Sequence, residues 1–107
     1  MEAVSLVTHT DVVDGSAVVA VAGDVDLVSA AHLREVMGDA LGRSCHLIVD
    51  VADMTFIDSS GLRVLVALSN DARGRSHRLA LRNVPRHAER VLDLTGLAEW
   101  FDREPDA

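Results

Sequence analysis

Two adjacent serines stand at the start of an apolar helical pattern, in the run Asp58-Ser59-Ser60-Gly61. A helix N-terminus gathers unpaired backbone N–H groups and a partial positive charge, and both favour an attached phosphate. A phosphate on Ser59 would add about −1.5 to −2 charges without requiring the helix to unfold. Serine is also among the commonest helix caps. Local chemistry therefore leaves two interpretations of this run open, a phosphorylation site and a simple cap.

The helix predicted after this run, over about 60–73, is apolar on two sides. With about 100° per residue, one face carries Leu62, Leu65, Val66 and Ser69. The other side carries Val64, Ala67 and Leu68. A surface helix normally keeps a polar outer face. This one is either buried on both sides or offers an apolar patch to a partner, and the pattern favours neither.

An enzymatic nucleophile is the first alternative for the serine pair. The Gly-x-Ser-x-Gly elbow of serine hydrolases needs a glycine where this chain has Ile57. The histidines have no persuasive spacing to an acid, and Cys45 with His46 has too few further ligands nearby for a metal. No glycine-rich phosphate loop is present. We therefore expect no enzyme activity, no cofactor and no metal site.

A phospho-aspartate receiver is the second alternative, because Asp50 follows an apolar strand as the acceptor of a receiver would. Receivers also use a lysine near the acceptor and an acidic pair after the first strand. This chain contains no lysine, and that acidic pair is missing. We interpret Asp50 as a residue at the end of a strand.

Length and composition restrict the remaining classes. The chain has 107 residues, the size of one domain, and we expect 1–107 to form a single domain. Its formal net charge of −7 disfavours direct binding to nucleic acid or to an anionic membrane surface. No apolar stretch reaches the roughly 18–20 residues of a membrane span, no signal peptide is visible, and Cys45 is alone. We expect a cytoplasmic protein.

Hydrophobic periodicity predicts the element order β-β-α-β-α-β-α. The predicted strands are 4–9, 17–22, 47–51 and 78–82, with a hairpin turn at Asp14-Gly15. The predicted helices start near Ser29, Ser60 and Pro85. This alternation implies an α/β fold with a mixed four- to five-stranded sheet and helices packed against it. The loops 23–28 and 52–59 lead toward helix N-termini, where sites collect in such sheets.

The segment 54–65 closely resembles the signature of anti-sigma-factor antagonists, which are single STAS domains. The resemblance extends in the right order to 23–26, 29–33 and 90–97, and so covers nearly the whole chain. It implies an STAS-like fold. It also implies that the protein binds an anti-sigma factor that is a serine kinase, and that this binding frees a sigma factor.

The same resemblance implies that the kinase phosphorylates Ser59, that the complex then separates, and that a serine phosphatase restores the protein. We expect the partner to contact six further residues: Asp26, Asp58, Ser60, Gly61, Val64 and Leu68. STAS domains also serve as transporter tails, stressosome components and phospholipid-pathway subunits. An interaction module of another signalling complex, without phosphorylation, is therefore the alternative.

Overall fold

The sheet and helices are described over residues 6–107 in a computed structural model. In chain order the elements are β1 (Leu6–Val13), β2 (Ser16–Val25), α1 (Ala30–Arg43), β3 (His46–Ile57), α2 (Ser59–Gly74), β4 (Arg78–Arg82), α3 (Arg86–Thr95) and β5 (Asp102–Arg103). Spatial order in the sheet follows chain order. β1 runs antiparallel to β2, and each later neighbour runs parallel. The predicted mixed sheet is confirmed, with a short fifth strand at its edge.

One face of this sheet carries the core. Side chains from all three helices are buried against strand residues that pair across β2, β3 and β4. These strand residues are Ala17, Val19, Leu47, Val49, Leu79 and Leu81. Aliphatic side chains at alternate strand positions thus form the layer on which the helices pack. None of the helices within residues 6–107 is long and apolar enough to span a membrane.

The hairpin and the third helix agree with their sequence signals. Asp14 and Gly15 have φ values of +51° and +81°, the left-handed conformations that a tight hairpin turn needs. α3 starts directly after Pro85 and ends at Gly96, whose φ is +75°. Residues 4 and 5 of the first predicted strand lie outside the described residues.

β2 and β3 extend further than predicted, so most of the two expected loops is strand. β2 continues to Val25 and β3 to Ile57, and the two strands pair along this extension. The register shifts twice along the pairing, and such bulges break the alternation that marks a strand in a sequence. Along β3 the buried residues Val51, Met54 and Ile57 lie three apart, so burial no longer alternates there.

Asp50 lies inside β3 rather than at its end, which corrects its predicted position. Its carboxylate accepts hydrogen bonds from Arg82 at 2.9 and 3.0 Å and from the Asn83 amide at 3.0 Å. The half-buried ion pair therefore joins β3 to the end of β4. Asp50 is thus occupied by structural contacts.

Candidate functional site

Ser59 is the first residue of α2, and it is exposed to solvent. The N-cap is Asp58, whose Oδ1 accepts hydrogen bonds from the N–H groups of Ser60 at 2.8 Å and Gly61 at 3.2 Å. The helix-capping role that was one interpretation of the serine pair therefore belongs to the preceding residue, Asp58. Since Asp58 caps the helix, the Ser59 hydroxyl is not required for that purpose and stands at the surface.

The start of α2 packs tightly against the end of β2. The N–H of Asp58 donates to the carbonyl oxygen of Val25 at 3.1 Å. Gly61 is buried, and a Cβ at this position would lie 2.5 Å from Val25 Cγ1 and 2.9 Å from the Val25 oxygen. Glycine is the residue that permits this approach. Gly61 was expected to contact the partner, and the structure places it in the packing beneath the site.

A hydrogen-bonded turn follows β2 and leads into α1. Asp26 Oδ1 accepts from the N–H groups of Val28 and Ser29, both at 3.0 Å. The bond from the Ser29 N–H is the main cause that lowers the pKa of Asp26 below its usual value. Ser29 is the N-cap as predicted, but its hydroxyl donates backward to the carbonyl oxygen of Asp24 at 2.8 Å. Asp26 therefore shapes the turn next to Ser59.

Three exposed apolar side chains flank this junction, and we call them the apolar rim: Leu27, Val28 and Phe56. Their exposed fractions are 77%, 85% and 48%. Leu27 and Val28 follow the end of β2, and Phe56 lies at the paired end of β3 beside Asp24. Because Ser59 follows β3 by two residues, the apolar rim and the serine lie at the same edge of the sheet.

The apolar rim was missed in the sequence, although a signal for it exists. Val28 precedes the N-cap Ser29, and Leu33 is the fourth residue of α1. Apolar residues at these positions commonly pack together as a hydrophobic staple. Leu33 is buried, whereas Val28 is almost fully exposed, so the staple does not form. An apolar residue without that intramolecular role is a candidate for contact with a partner.

Val64 and Leu68, which were expected to contact the partner, are buried in the free chain, where the two side chains are only 7% and 5% exposed. α2 is the helix that is buried on both sides, one of the two possibilities that its pattern left open. α1 packs against α2, and a groove between them is lined by Ala67 and Leu68 on one side and by Arg34 and Gly38 on the other. Residues of α2 and α3 line a common small cavity against β3.

The structure thus brings together only part of the predicted set. Asp26, Asp58 and Ser60 are half-buried at the sheet edge that carries Ser59. Gly61, Val64 and Leu68 lie beneath the surface. Within residues 6–107, no group of three His, Cys, Asp or Glu side chains is placed to hold a metal ion. The arrangement is an accessible hydroxyl between acidic and apolar side chains.

Comparisons with known proteins identify the family and the fold. Residues 5–106 match the STAS domain family. The anti-sigma-B factor antagonist of Bacillus subtilis is 31% identical over 77% of this chain and 75% of its own. The anti-sigma-F factor antagonist RsfB of Mycobacterium tuberculosis is 30% identical over 82% and 72%, respectively. The crystal structure of an anti-sigma factor antagonist from Mycobacterium paratuberculosis has a TM-score of 0.83 and 28% identity, covering 92% of this chain and 85% of that one.

Proposed function

This chain belongs to the STAS domain family, and we propose that it binds an anti-sigma serine kinase as an anti-sigma factor antagonist until Ser59 is phosphorylated. The observation that carries the proposal is the placement of Ser59 as an exposed first residue of α2, directly after its cap. A kinase can reach this hydroxyl in the folded protein. The single-domain architecture over 1–107 and a cytoplasmic location belong to the same proposal.

The apolar rim supplies the apolar part of the proposed contact surface. Protein interfaces usually have an apolar, well-packed centre surrounded by polar groups. Leu27, Val28 and Phe56 are exposed in the free chain. Their burial would contribute about 25 cal/mol per Å² of apolar surface removed from water. Asp26 and Asp58 stand beside them and would lie at the polar edge, where charge guides the orientation of a partner.

Phosphorylation would end this contact through charge and hydration rather than through unfolding. Ser59 is exposed, and the hydrogen bonds of the Asp58 cap do not involve its hydroxyl. The fold therefore accommodates a phosphate on Ser59. In a closed interface the same phosphate loses hydration and adds about −1.5 to −2 charges. A penalty of about 3 kcal/mol weakens binding roughly a hundredfold.

The proposed cycle needs two partner proteins and no catalysis by this chain. The kinase binds the unmodified chain and phosphorylates Ser59. While the kinase is bound to this chain, a sigma factor is free. A serine phosphatase removes the phosphate and restores binding. We propose no direct contact with nucleic acid or membrane.

A pull-down and release experiment tests this proposal. Immobilised unphosphorylated protein should retain an anti-sigma kinase from the source cells, and added Mg-ATP should elute that kinase while Ser59 gains a phosphate. A non-hydrolysable ATP analogue is the matched control and should not elute it. Retention of the kinase after stoichiometric phosphorylation at Ser59 contradicts the release step.

A further inference from the structure

The capping carboxylate of Asp58 already holds two of the backbone N–H groups at the start of α2. The N–H groups of Ser60 and Gly61 donate to Asp58 Oδ1, and the N–H of Leu62 donates to the Asp58 carbonyl oxygen at 3.0 Å. A helix N-terminus normally stabilises an anion through these N–H groups. Here a phosphate would have to displace the cap to use the Ser60 and Gly61 N–H groups. Meeting its charge without breaking the cap therefore requires a further partner, for which a cationic side chain is suited.

The acidic surroundings make that requirement stronger. Asp58 directly precedes Ser59, and Asp26 lies at the same edge of the sheet. The lowered pKa of Asp26 keeps its carboxyl ionised. Like charges held close together oppose the charged form of each other. A dianionic phosphate at Ser59 is therefore unfavourable unless a cation lies within reach.

Arg63 is the cation that the helix places next to Ser59. It is exposed, and it follows Ser59 by four residues in α2, so the two side chains share one face. An anion placed four residues before a cation is the favourable orientation of such a pair. Five of the ten arginines pair with carboxylates: Arg43, Arg75, Arg78, Arg82 and Arg103. Of the arginines without such a pair in the described chain, Arg63 is the one that lies one helical turn from Ser59 in α2. Within residues 6–107, Arg63 has no ion-pair partner.

We propose that Arg63 binds the phosphate of phosphorylated Ser59 within the same chain. The guanidinium offers two parallel N–H donors to two phosphate oxygens, a geometry that suits arginine better than lysine. This inference rests on phosphorylation at Ser59, the proposed function, and adds a second effect of that modification. Phosphorylation adds a dianion to the contact surface and also withdraws the exposed Arg63 cation from it.

The test measures the second pKa of the phosphate by ³¹P NMR titration. Phosphoserine is placed at position 59 during translation, so no kinase is needed and the result is independent of whether a kinase acts there. Arg63→Gln should raise the phosphate pKa by about 0.3, because an i, i+4 ion pair favours the dianion by that amount. Arg63→Lys should keep much of the lower value.

Arg43→Gln is the matched control, since it removes the same charge at the far end of α1, where Arg43 pairs with Asp39. Its phosphate pKa should equal that of the unsubstituted chain, because distant exposed charges are screened.

Equal phosphate pKa values in folded Arg63→Gln and Arg43→Gln proteins would overturn the proposal. Weaker kinase binding by the unphosphorylated Arg63→Gln protein, with an unchanged phosphate pKa, would also overturn it and would assign Arg63 to the kinase contact instead. A kinase that ignores Ser59 would refute the proposed function and leave the pKa result intact.

Discussion

The N–H of Asp58 donates a 3.1 Å hydrogen bond to the carbonyl oxygen of Val25, and this bond joins the end of β2 to the start of α2. The turn that contains Asp26 begins one residue after Val25, and Ser59 comes one residue after Asp58. The bond therefore holds the turn and the serine at a fixed spacing. A partner can then recognise the two segments as one surface.

Gly61→Ala tests how tightly that junction is packed. The added Cβ would meet Val25 Cγ1 and the Val25 oxygen at 2.5 and 2.9 Å, so the backbone or the valine must shift. We expect a loss of about 1–3 kcal/mol in the free energy of unfolding, measured by urea denaturation. Gly38→Ala in α1 meets nothing within 4 Å and should stabilise by about 0.5–1 kcal/mol. Equal effects of the two substitutions would disprove the close approach at Gly61.

Leu68→Asp tests the burial of the second face of α2. Leu68 is 5% exposed and packs within the core cluster, so the substitution buries a charge without a partner. We expect a loss of more than about 4 kcal/mol, enough to unfold much of the chain at 37 °C. Thermal melting followed by circular dichroism measures it. A melting temperature close to that of the unsubstituted protein would show that this face is open after all.

Val28→Asp tests the apolar rim. The side chain is 85% exposed, so stability should change by no more than about 0.5 kcal/mol. At the centre of an interface the same change costs about 2 kcal/mol or more, which weakens kinase binding by about thirtyfold. Leu94→Asp is the control, because Leu94 is 79% exposed but lies in α3. If Val28→Asp binds the kinase as well as Leu94→Asp does, the rim is not the contact.

The turn at Asp26 should depend on pH. The carboxylate accepts the Val28 and Ser29 N–H groups, and the Ser29 bond is the main cause of its lowered pKa. Because the pKa is lowered in the folded state, the stabilisation that these hydrogen bonds give is fully present above the unfolded pKa, near pH 4. It is lost as the pH falls through the lower, folded pKa. An NMR titration should show the Val28 and Ser29 amide signals changing only at that lower pH. An Asp26 pKa at or above the ordinary value would contradict the hydrogen-bonded turn.

Much of the fold could be predicted because local signals and tertiary packing agree. The Asp14-Gly15 turn, the β4 strand and the limits of α3 all follow from residues that favour one backbone conformation. The ends of β2 and β3 could not be predicted in the same way. Their pairing contains bulges, and burial there no longer alternates.

The site was predicted only in part, for a related reason. Ser59 and Asp26 were assigned through the resemblance of their segments to the anti-sigma-factor antagonists, and the structure places both at one edge of the sheet. Whether Val64 and Leu68 face solvent depends on where α1 packs, which periodicity within α2 does not contain. The role of Gly61 depends on its distance to Val25, a contact across 36 positions of sequence. Val28 is likewise exposed because it does not pack on Leu33, which its position in the sequence does not reveal.

We propose that phosphate on Ser59, and nowhere else, ends the complex with the kinase. Substitutions at the serine pair locate the phosphate. Ser59→Ala should bind the kinase with unchanged affinity and gain no phosphate, because alanine keeps this exposed position neutral. Ser59→Asp should bind at least about tenfold more weakly, since its single charge is less than that of a phosphate. Ser60→Ala should still be phosphorylated, and peptide mass spectrometry that finds phosphate on Ser60 alone would contradict the assignment.

The most direct measurement is the Kd of the kinase for two forms of this chain, one unmodified and one with phosphoserine at position 59, by isothermal titration calorimetry at one salt concentration. We expect the phosphorylated form to bind roughly a hundredfold more weakly, corresponding to about 3 kcal/mol, while both forms keep the same circular dichroism spectrum. Equal Kd values for the two folded forms would contradict it.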